Sequence, residues 1–551
     1  MLKPIHKVKL LHSLSLLMLS SLFSTSLLAQ SEESSSKLII NANVVSMQDG
    51  QVLPNQRIRI DQGIITAVGS ANELPLDAGQ QLIDVAGAYV IPGLRDAHVH
   101  IQDSRELAVY LFYGVTGVRE LDGSDWALNL QQQIQKQPSS SPRLLVSSPV
   151  INLTNDSNPE DIIQDFQVRG FSSLKIYSVP NKKIYQTFSA EARKQGLKLI
   201  GHIPRSIDLE TLLDTGYQSE VAHLEEFIYS YVEKHKKDYS QQTIDEIVSL
   251  LKGRNITIIT TLVQFQSMVE QLESVESQLA QPGLNKISPL ATLSWTMDNY
   301  SHHLAPKLLP ELKLQLAFLK KLVKALANAK IPLQLGTDSG VAIIVAGEAV
   351  HLEMALLVES GLTPLQALQA ATRTLGAMNK QAIIAPGEKA DLVFLLANPL
   401  QNIHNSRLIN GVLRAGHWHS KVILEKQLSD LKLSFKPEHK FSQIAFNEGL
   451  EPALNYFTQI NRNKQQLPNL AAYEFLIRGL LNIQSNDAAA VLAKATIKLY
   501  PDNYLSHFLL AMVAEAEHNH TAAIRAYQRV LKLDPDNNIV SLKLEKLTQR
   551  N

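Results

Sequence analysis

Apolar and polar positions alternate in short runs over residues 37–90: KLIINANVVS, RIRIDQGIITAVG and QQLIDVAGAYV, broken by Gly, Asp and Asn. Period-two alternation between turn residues predicts strands joined by tight turns. The pattern returns over 390–426 in ADLVFLLANP, RLINGVLRAGHWHS and KVILEK. Two β-rich flanks around a long centre predict one small β-sandwich assembled from residues 38–90 and 385–430. Between them, residues 91–384 carry strand-like apolar runs: YVIPGL, TGVREL, PRLLVSS, SSLKIYS, LKLIGHI, SEVAHL, ITIITTL and PLQLGTD. Runs of helical period separate these, among them RELAVYLFYG, IYQTFSAEARKQG, ELKLQLAFLKKLVKALANA and AVHLEMALLVESG. Eight such units fit an α/β fold with a (β/α)8 barrel of the TIM type, where reactive groups gather at the C-terminal strand ends.

Residues 438–551 change character and read as helical throughout. Pro501 in LYPDN and Pro535 in LDPDN stand 34 residues apart, the period of a tetratricopeptide repeat. Ala489 and Ala523 fall at the repeat's small position, and Ala511 and Tyr527 also suit it. Ile477 breaks the first copy, and FNEGLEPALNYFTQI forms a degenerate third helix pair. The expectation is a helical repeat domain presenting a surface to a protein partner. A plain helical bundle is the alternative, since Pro-Asp-Asn is a common helix stop.

At the other end, Lys3, Lys7 and Lys9 precede an apolar stretch from Leu10 to Leu28 and a small residue, Ala29. This is the shape of a secretory signal peptide over residues 1–30. An uncleaved anchor is the alternative, but the serine-rich core and adjacent cleavage site favour removal, with no stable membrane insertion afterwards. The chain has no cysteine, which excludes a disulfide framework and a lipid-bearing thiol. A periplasmic or secreted location is expected. Lys and Arg together number 52, equal to Asp and Glu, and no basic block interleaves with aromatics, so nucleic acid is not an expected partner.

The chemistry sits at the ends of the central apolar runs. His98 and His100 close VIPGLRDAHVHI, His202 closes LKLIGHIP, His223 lies in SEVAHLEEF and Asp338 in IPLQLGTDSG. A His-x-His pair on a strand points both rings the same way, and imidazole with carboxylate is the usual ligand set of zinc and similar ions. Lys175, in SSLKIYS with Tyr177 on its face, decides between site types. An ammonium cannot ligate, and burying it unpaired is costly. Carbon dioxide converts the amine into a carbamate, an anion able to bridge two cations. A rim lysine with its head in water is the alternative. His417 and His419 repeat the His-x-His pattern inside the β-rich flank and are read as surface residues. His351 is placed equally well as a helix-start residue. His235, His302, His303, His507, His518 and His520 lie in polar or helical surroundings.

Taken in order, VIPGLRDAHVHI, SLKIY, IGHIP, VAHLEE and GTDSG resemble the amidohydrolase superfamily, above all its imidazolonepropionase-like and prolidase-like branch. HLEMALLVESGLTPLQALQAATRTLGAM and IAPGEKADLVFLLANPL extend the resemblance, which covers about Leu38 to Leu424. It implies a (β/α)8 barrel with a small β-sandwich and a centre of one or two divalent ions, zinc by default. By resemblance His98, His100 and Asp338 hold the first ion, His202 and His223 the second, and a carboxylated Lys175 bridges them. The implied reaction is hydrolysis of the C–N bond of an amide, peptide or cyclic amide by metal-activated hydroxide, with Asp338 moving the proton. Tyr177 and Arg205 are the candidates for holding a small-molecule substrate, a surface ion pair being the alternative for Arg205. The insertion from Gln264 to Leu304 is expected to shape specificity. GVTGVRE departs from the family's GVTTVRD, and its Glu120 is expected to touch no ligand. A deaminase on the same fold usually carries a glutamate three residues after the third histidine; here that position is Arg205, which ranks amide hydrolysis first. A non-catalytic helical-repeat adaptor with a relic barrel is the remaining alternative, and no ligand position is broken.

Overall fold

The computed structural model describes residues 36–549 apart from 78, 377–379, 381, 450, 454, 457–458, 460–469, 483 and 536. The expected signal peptide at 1–30 and part of the degenerate helix pair at 446–460 lie outside the described residues.

The N-terminal flank forms β1 (Lys37–Val45), β2 (Val52–Asp61), β3 (Ile64–Gly69), β4 (Gln81–Asp84) and β5 (Tyr89–Pro92). The centre carries β6 (Leu94–Val99), β7 (Val115–Glu120), β8 (Arg143–Val146), β9 (Val150–Asn152), β10 (Ser173–Ser178), β11 (Lys198–Gly201), β12 (Gln218–Ala222), β13 (Thr257–Ile259) and β14 (Leu333–Gln334). The C-terminal flank adds β15 (Leu392–Leu395), β16 (Ile409–Arg414) and β17 (His417–Ser420).

Both flanks meet in one eight-stranded sheet, ordered β17-β16-β15-β5-β1-β2-β3 with β4 beside β1. The joint is antiparallel: Leu392 lies opposite Pro92 and Leu395 opposite Tyr89. One face buries Ile39, Val44, Ile58, Ile60, Val90, Leu392, Phe394 and Leu413 around a common core. KVILEK, expected as a strand, instead begins the helix Lys421–Ser434. Ser420 caps it by accepting from the Ile423 amide, and Leu424, Leu428 and Leu431 bury at helical spacing, so the local pattern fits period 3.6 better than period two.

The central strands are parallel and form two sheets, β6-β7-β8 and β14-β13-β12-β11-β10-β9. Backbone hydrogen bonds cross both gaps. On one side Ala97 N donates to Leu335 O (2.9 Å), Asp338 N to His98 O (2.8 Å) and His100 N to Ser339 O (2.7 Å). On the other, Ser148 N donates to Ser173 O (2.8 Å). Several intervening helices start on a polar residue whose side chain accepts a first-turn amide, namely Ser124, Asn158, Asn181, Asp208 and Ser240, which satisfies donors the helix cannot pair itself.

Beyond residue 435 the described elements are helices: Lys436–Glu448, Leu470–Asn482, Asn486–Leu499, Tyr504–Ala516, His520–Leu533 and Asn538–Gln549. Pro501 and Pro535 fall in turns between them, and Ala489, Ala523 and Tyr527 are buried. The helix Pro289–Met297, from the central region, joins this array: its Leu290 and Leu293 share a core with Phe441, Tyr473, Ile477 and Leu492.

Candidate metal centre

The run Asp96–His100 finishes β6. Asp96 is fully buried; its carboxylate accepts from the His98 amide (3.2 Å), the Thr337 amide (3.0 Å) and the Thr337 hydroxyl (2.5 Å). These bonds fasten the strand bearing the histidine pair to the segment bearing Asp338. The Thr337 hydroxyl in turn accepts from the Ser339 amide at 3.1 Å. Asp338 has φ 61°, a left-handed conformation that short acidic residues tolerate better than most. The glycines of GTDSG are steric: a side chain at Gly336 would strike Ile259 and His98, and one at Gly340 would strike the His100 carbonyl.

In this frame His98 Nε2 and His100 Nε2 lie 3.3 Å apart, and each is 3.0 Å from Asp338 Oδ1. None of these approaches supplies Asp338 Oδ1 with an aligned hydrogen bond. Tetrahedral zinc, with ligands about 2.0–2.1 Å away, spaces its ligand atoms by about 3.3 Å, so the triangle has the dimensions of a metal site. Its electrostatics agree. Burial pulls the His100 imidazole down, but Asp338 and Glu120 outweigh it and raise its pKa to about 10. Two carboxylates thus favour a positive charge here. His98 is pushed well below the imidazole range by burial and then by Lys175, leaving the neutral form that ligation requires.

His202 follows β11 and His223 follows β12, His223 with φ 78°. Ring centroids of His98 and His223 are 4.7 Å apart, and those of His223 and His202 4.8 Å, so four imidazoles run in a row from His100 to His202. His202 Nδ1 faces Glu226 Oε1 at 2.8 Å, and His223 Nδ1 faces Thr261 Oγ1 at 3.0 Å. A polar partner on Nδ1 orients the ring and leaves Nε2 for a ligand. Lys175 lies within β10, not at its end, and is 1% exposed. Its Nζ has no hydrogen-bond partner, and burial lowers its pKa to about 8. Its charge bears on His98, His202, His223 and Asp338. The structure thus brings these six residues around one end of the parallel strands. Ligand atoms of His98, His100 and Asp338 form the tight group, all within 4.8 Å.

Tyr177 sits at the mouth, half exposed, its ring edge-on to His202 at 4.4 Å. The Arg205 guanidinium lies 3.2 Å above the Tyr229 ring and 3.5 Å from Glu226 Oε2, so it pairs with the carboxylate that orients His202.

Several residues had escaped the sequence reading. Glu120 does contact a candidate ligand: its Oε1 lies 3.3 Å from His100 Nδ1, and its Oε2 accepts from the Ile101 amide at 2.6 Å. Pairing of β6 with β7 sets Glu120 opposite Val99, close enough for the side chain to reach the ring. Glu226 and Asp96 were visible only as acids two or three positions from a candidate histidine. Arg119 and Glu220, charged residues inside apolar runs, form a buried bidentate pair (3.0 and 2.5 Å) between β7 and β12. His419 is not a surface residue; it is 8% exposed and its Nε2 is bonded to the Ser139 carbonyl. His351 lies apart from the centre, bonded to Ser406 Oγ and the Tyr113 carbonyl.

No family model matches the chain. Among curated proteins, the adenine deaminase of Kosmotoga olearia is 37% identical over 76 residues, 14% of this chain and 12% of that enzyme. The Listeria welshimeri adenine deaminase is 20% identical over 426 residues, 75% of this chain and 63% of that enzyme. The chain therefore spans less than two thirds of the length of these relatives. Among solved structures, a bottromycin amidohydrolase superposes with a TM-score of 0.58 at 21% identity, over 73% of this chain and 91% of that one. A Xaa-Pro dipeptidase gives 0.54 at 18% identity, over 70% and 100%. The A. niger ochratoxinase gives 0.53 at 17% identity, over 70% and 96%. The chain shares its fold with these three enzymes.

Proposed function

We propose that this chain is an exported, metal-dependent amidohydrolase that cleaves a C–N bond in a small amide, peptide or cyclic amide. The observation that carries the reading is the triangle of His98, His100 and Asp338, continued by the row through His223 to His202. In this reading the first three residues would hold one divalent ion and His202 and His223 a second, with a carboxylated Lys175 supplying the anion between the two groups, and zinc suits the ligand set. Such ions, when bound, acidify a water into a nucleophile near neutral pH and polarise the scissile carbonyl. Asp338 takes the proton from the attacking water and passes it to the leaving nitrogen. The burial that lowers the Lys175 pKa to about 8 favours the neutral amine, the form that reacts with carbon dioxide. Glu226 fixes the His202 ring and Glu120 bears on His100, while Tyr177 and Arg205 receive the substrate at the mouth. The hydrogen bonds across both gaps between the parallel sheets support a single closed (β/α)8 barrel. The proline turns at 501 and 535 support a repeat of the tetratricopeptide type.

The test is metal analysis of the purified protein followed by a screen of dipeptides and N-acyl amino acids. Two ions per chain with amide cleavage is the expected result, and Lys175→Ala should retain at most one ion. A wild type with no bound ion and no cleavage would refute the reading and favour an adaptor. A second reading, deamination, is favoured by the Listeria welshimeri likeness; ammonia release from adenine with no amide cleavage would select it.

A further inference from the structure

Besides packing Phe265 and Val269 into the main core, the insertion at 264–304 makes two other attachments to the rest of the molecule. The first is beside the candidate centre. Leu284, Ile287, Ala291 and Trp295 pack with Ile343 and Val345 in the segment that follows Asp338. Gln271 Nε2 donates to the Ala342 carbonyl at 3.1 Å, and its Oε1 accepts from the Tyr300 amide at 3.0 Å. The Tyr300 hydroxyl accepts from Gln264 Nε2 at 2.5 Å.

The second attachment is to the C-terminal helices, and it converges on one carboxylate. Glu438, on the helix Lys436–Glu448, is 1% exposed. Its Oε1 lies 2.6 Å from Arg105 Nη2, and its Oε2 accepts from the Ser288 hydroxyl at 2.7 Å. Ser288 caps the insertion helix Pro289–Met297, and its amide donates to Glu106 Oε1 at 3.2 Å. Arg105 also binds Asp103 at 2.5 Å and stacks 4.6 Å over Phe435. Asp103 to Glu106 belong to the segment that leaves His100. A single buried side chain thus joins the segment after His100, the insertion and the first C-terminal helix. A buried carboxylate is costly unless its oxygens are matched; here both oxygens have partners of fixed geometry, which an apolar contact does not require. Leu290 and Leu293 of the insertion helix pack against Phe441 and Ile444 on this side, next to an open groove of about 470 Å³ lined by Leu284, Ile287, Thr292, His439 and Ser442. The polar node adds to this apolar contact the directionality that hydrocarbon packing lacks.

We propose that Glu438 is a positioning residue, and that the C-terminal helical region binds this chain's own 282–303 segment, seating it over the metal centre to shape the substrate site. The substrate part rests on the amidohydrolase reading; the seating part does not.

The experiment uses the full-length protein and three variants: Glu438→Ala, Glu438→Gln and Ser288→Ala. Hydrogen exchange at 282–303, bound metal per chain, and KM and kcat on a substrate from the screen are measured for each. Glu438→Ala should exchange about tenfold faster at 282–303. Its KM should rise about tenfold with kcat within about twofold, and its metal content should match wild type. Glu438→Gln keeps an acceptor and should recover most of both effects. Ser288→Ala should act in the same direction with smaller size, and it decides the matter if Glu438→Ala does not fold. Unchanged exchange at 282–303 in the folded variants, or activity lost only in proportion to lost metal, would overturn the proposal. If the wild type cleaves no amide, the exchange data still judge the seating while the amidohydrolase reading fails separately.

Discussion

Replacing Asp96 tests whether the frame of the candidate centre is built as described. Asp96→Ala deletes the acceptor for the His98 amide, the Thr337 amide and the Thr337 hydroxyl. The hydroxyl can rotate toward another acceptor, whereas the two amides stay buried and unpaired, each at a cost of about 1–3 kcal/mol. Their sum gives a loss of about 4 kcal/mol. The same change releases the strand holding His98 and His100 from the turn holding Asp338, so divalent metal should bind about 10–100-fold more weakly. Asp96→Asn differs instructively. Its carbonyl oxygen can take both amides and its NH2 can donate to Thr337 Oγ1, which has a second lone pair for the Ser339 amide, so it should cost only about 1 kcal/mol. Urea unfolding of both variants, read with an unchanged m-value, and competition against a chromophoric chelator give the two quantities. Alanine behaving like wild type in both assays, or asparagine as damaging as alanine, would refute the reasoning.

Two further outcomes follow from the geometry. Asp338→Asn keeps an oxygen beside the two Nε2 atoms but no longer accepts a proton readily, so turnover should fall by about two or more orders of magnitude with metal content largely retained; full activity of this variant would remove Asp338 from proton transfer. Glu353 is buried, which raises its pKa from 4.5 to about 7 against hydrogen bonds from Thr260 and Val263. The folded state therefore holds an extra proton between those values, so this group's own contribution to stability is largest below pH 4.5 and is lost as pH rises through 7, by up to about 3 kcal/mol. Glu353→Gln should remove that part of the decline between pH 5 and 8, and identical urea midpoints against pH in the two proteins would contradict it.

What was legible in the sequence was local. Alternation at period two marked the short strands, and it put His98, His202, His223 and Asp338 at the ends of apolar runs, because a strand that meets a polar site stops being apolar there. What was not legible depended on which strands pair. YVIPGL reads as one strand, yet Tyr89–Pro92 pairs with β15 while Leu94–Val99 pairs with β7, so the run splits at Gly93 between two sheets. Glu120 and Glu226 acquire their contacts to His100 and His202 across 20 and 24 positions of chain, and no spacing rule announces that. KVILEK showed both periods in miniature, and packing of Leu424, Leu428 and Leu431 decided for the helix.

The antiparallel joint of β15 with β5 has a consequence for how the protein comes into being. Everything from Leu94 to Asp391 must leave the ribosome before the edge of β5 can meet its mate. Until then the nascent chain carries an unpaired backbone edge with Val90 and Ile91 beside it, a template for unwanted association. Synthesis of the parallel core is therefore finished before the small sheet can close, and any factor that shields an open strand edge has its moment in that interval.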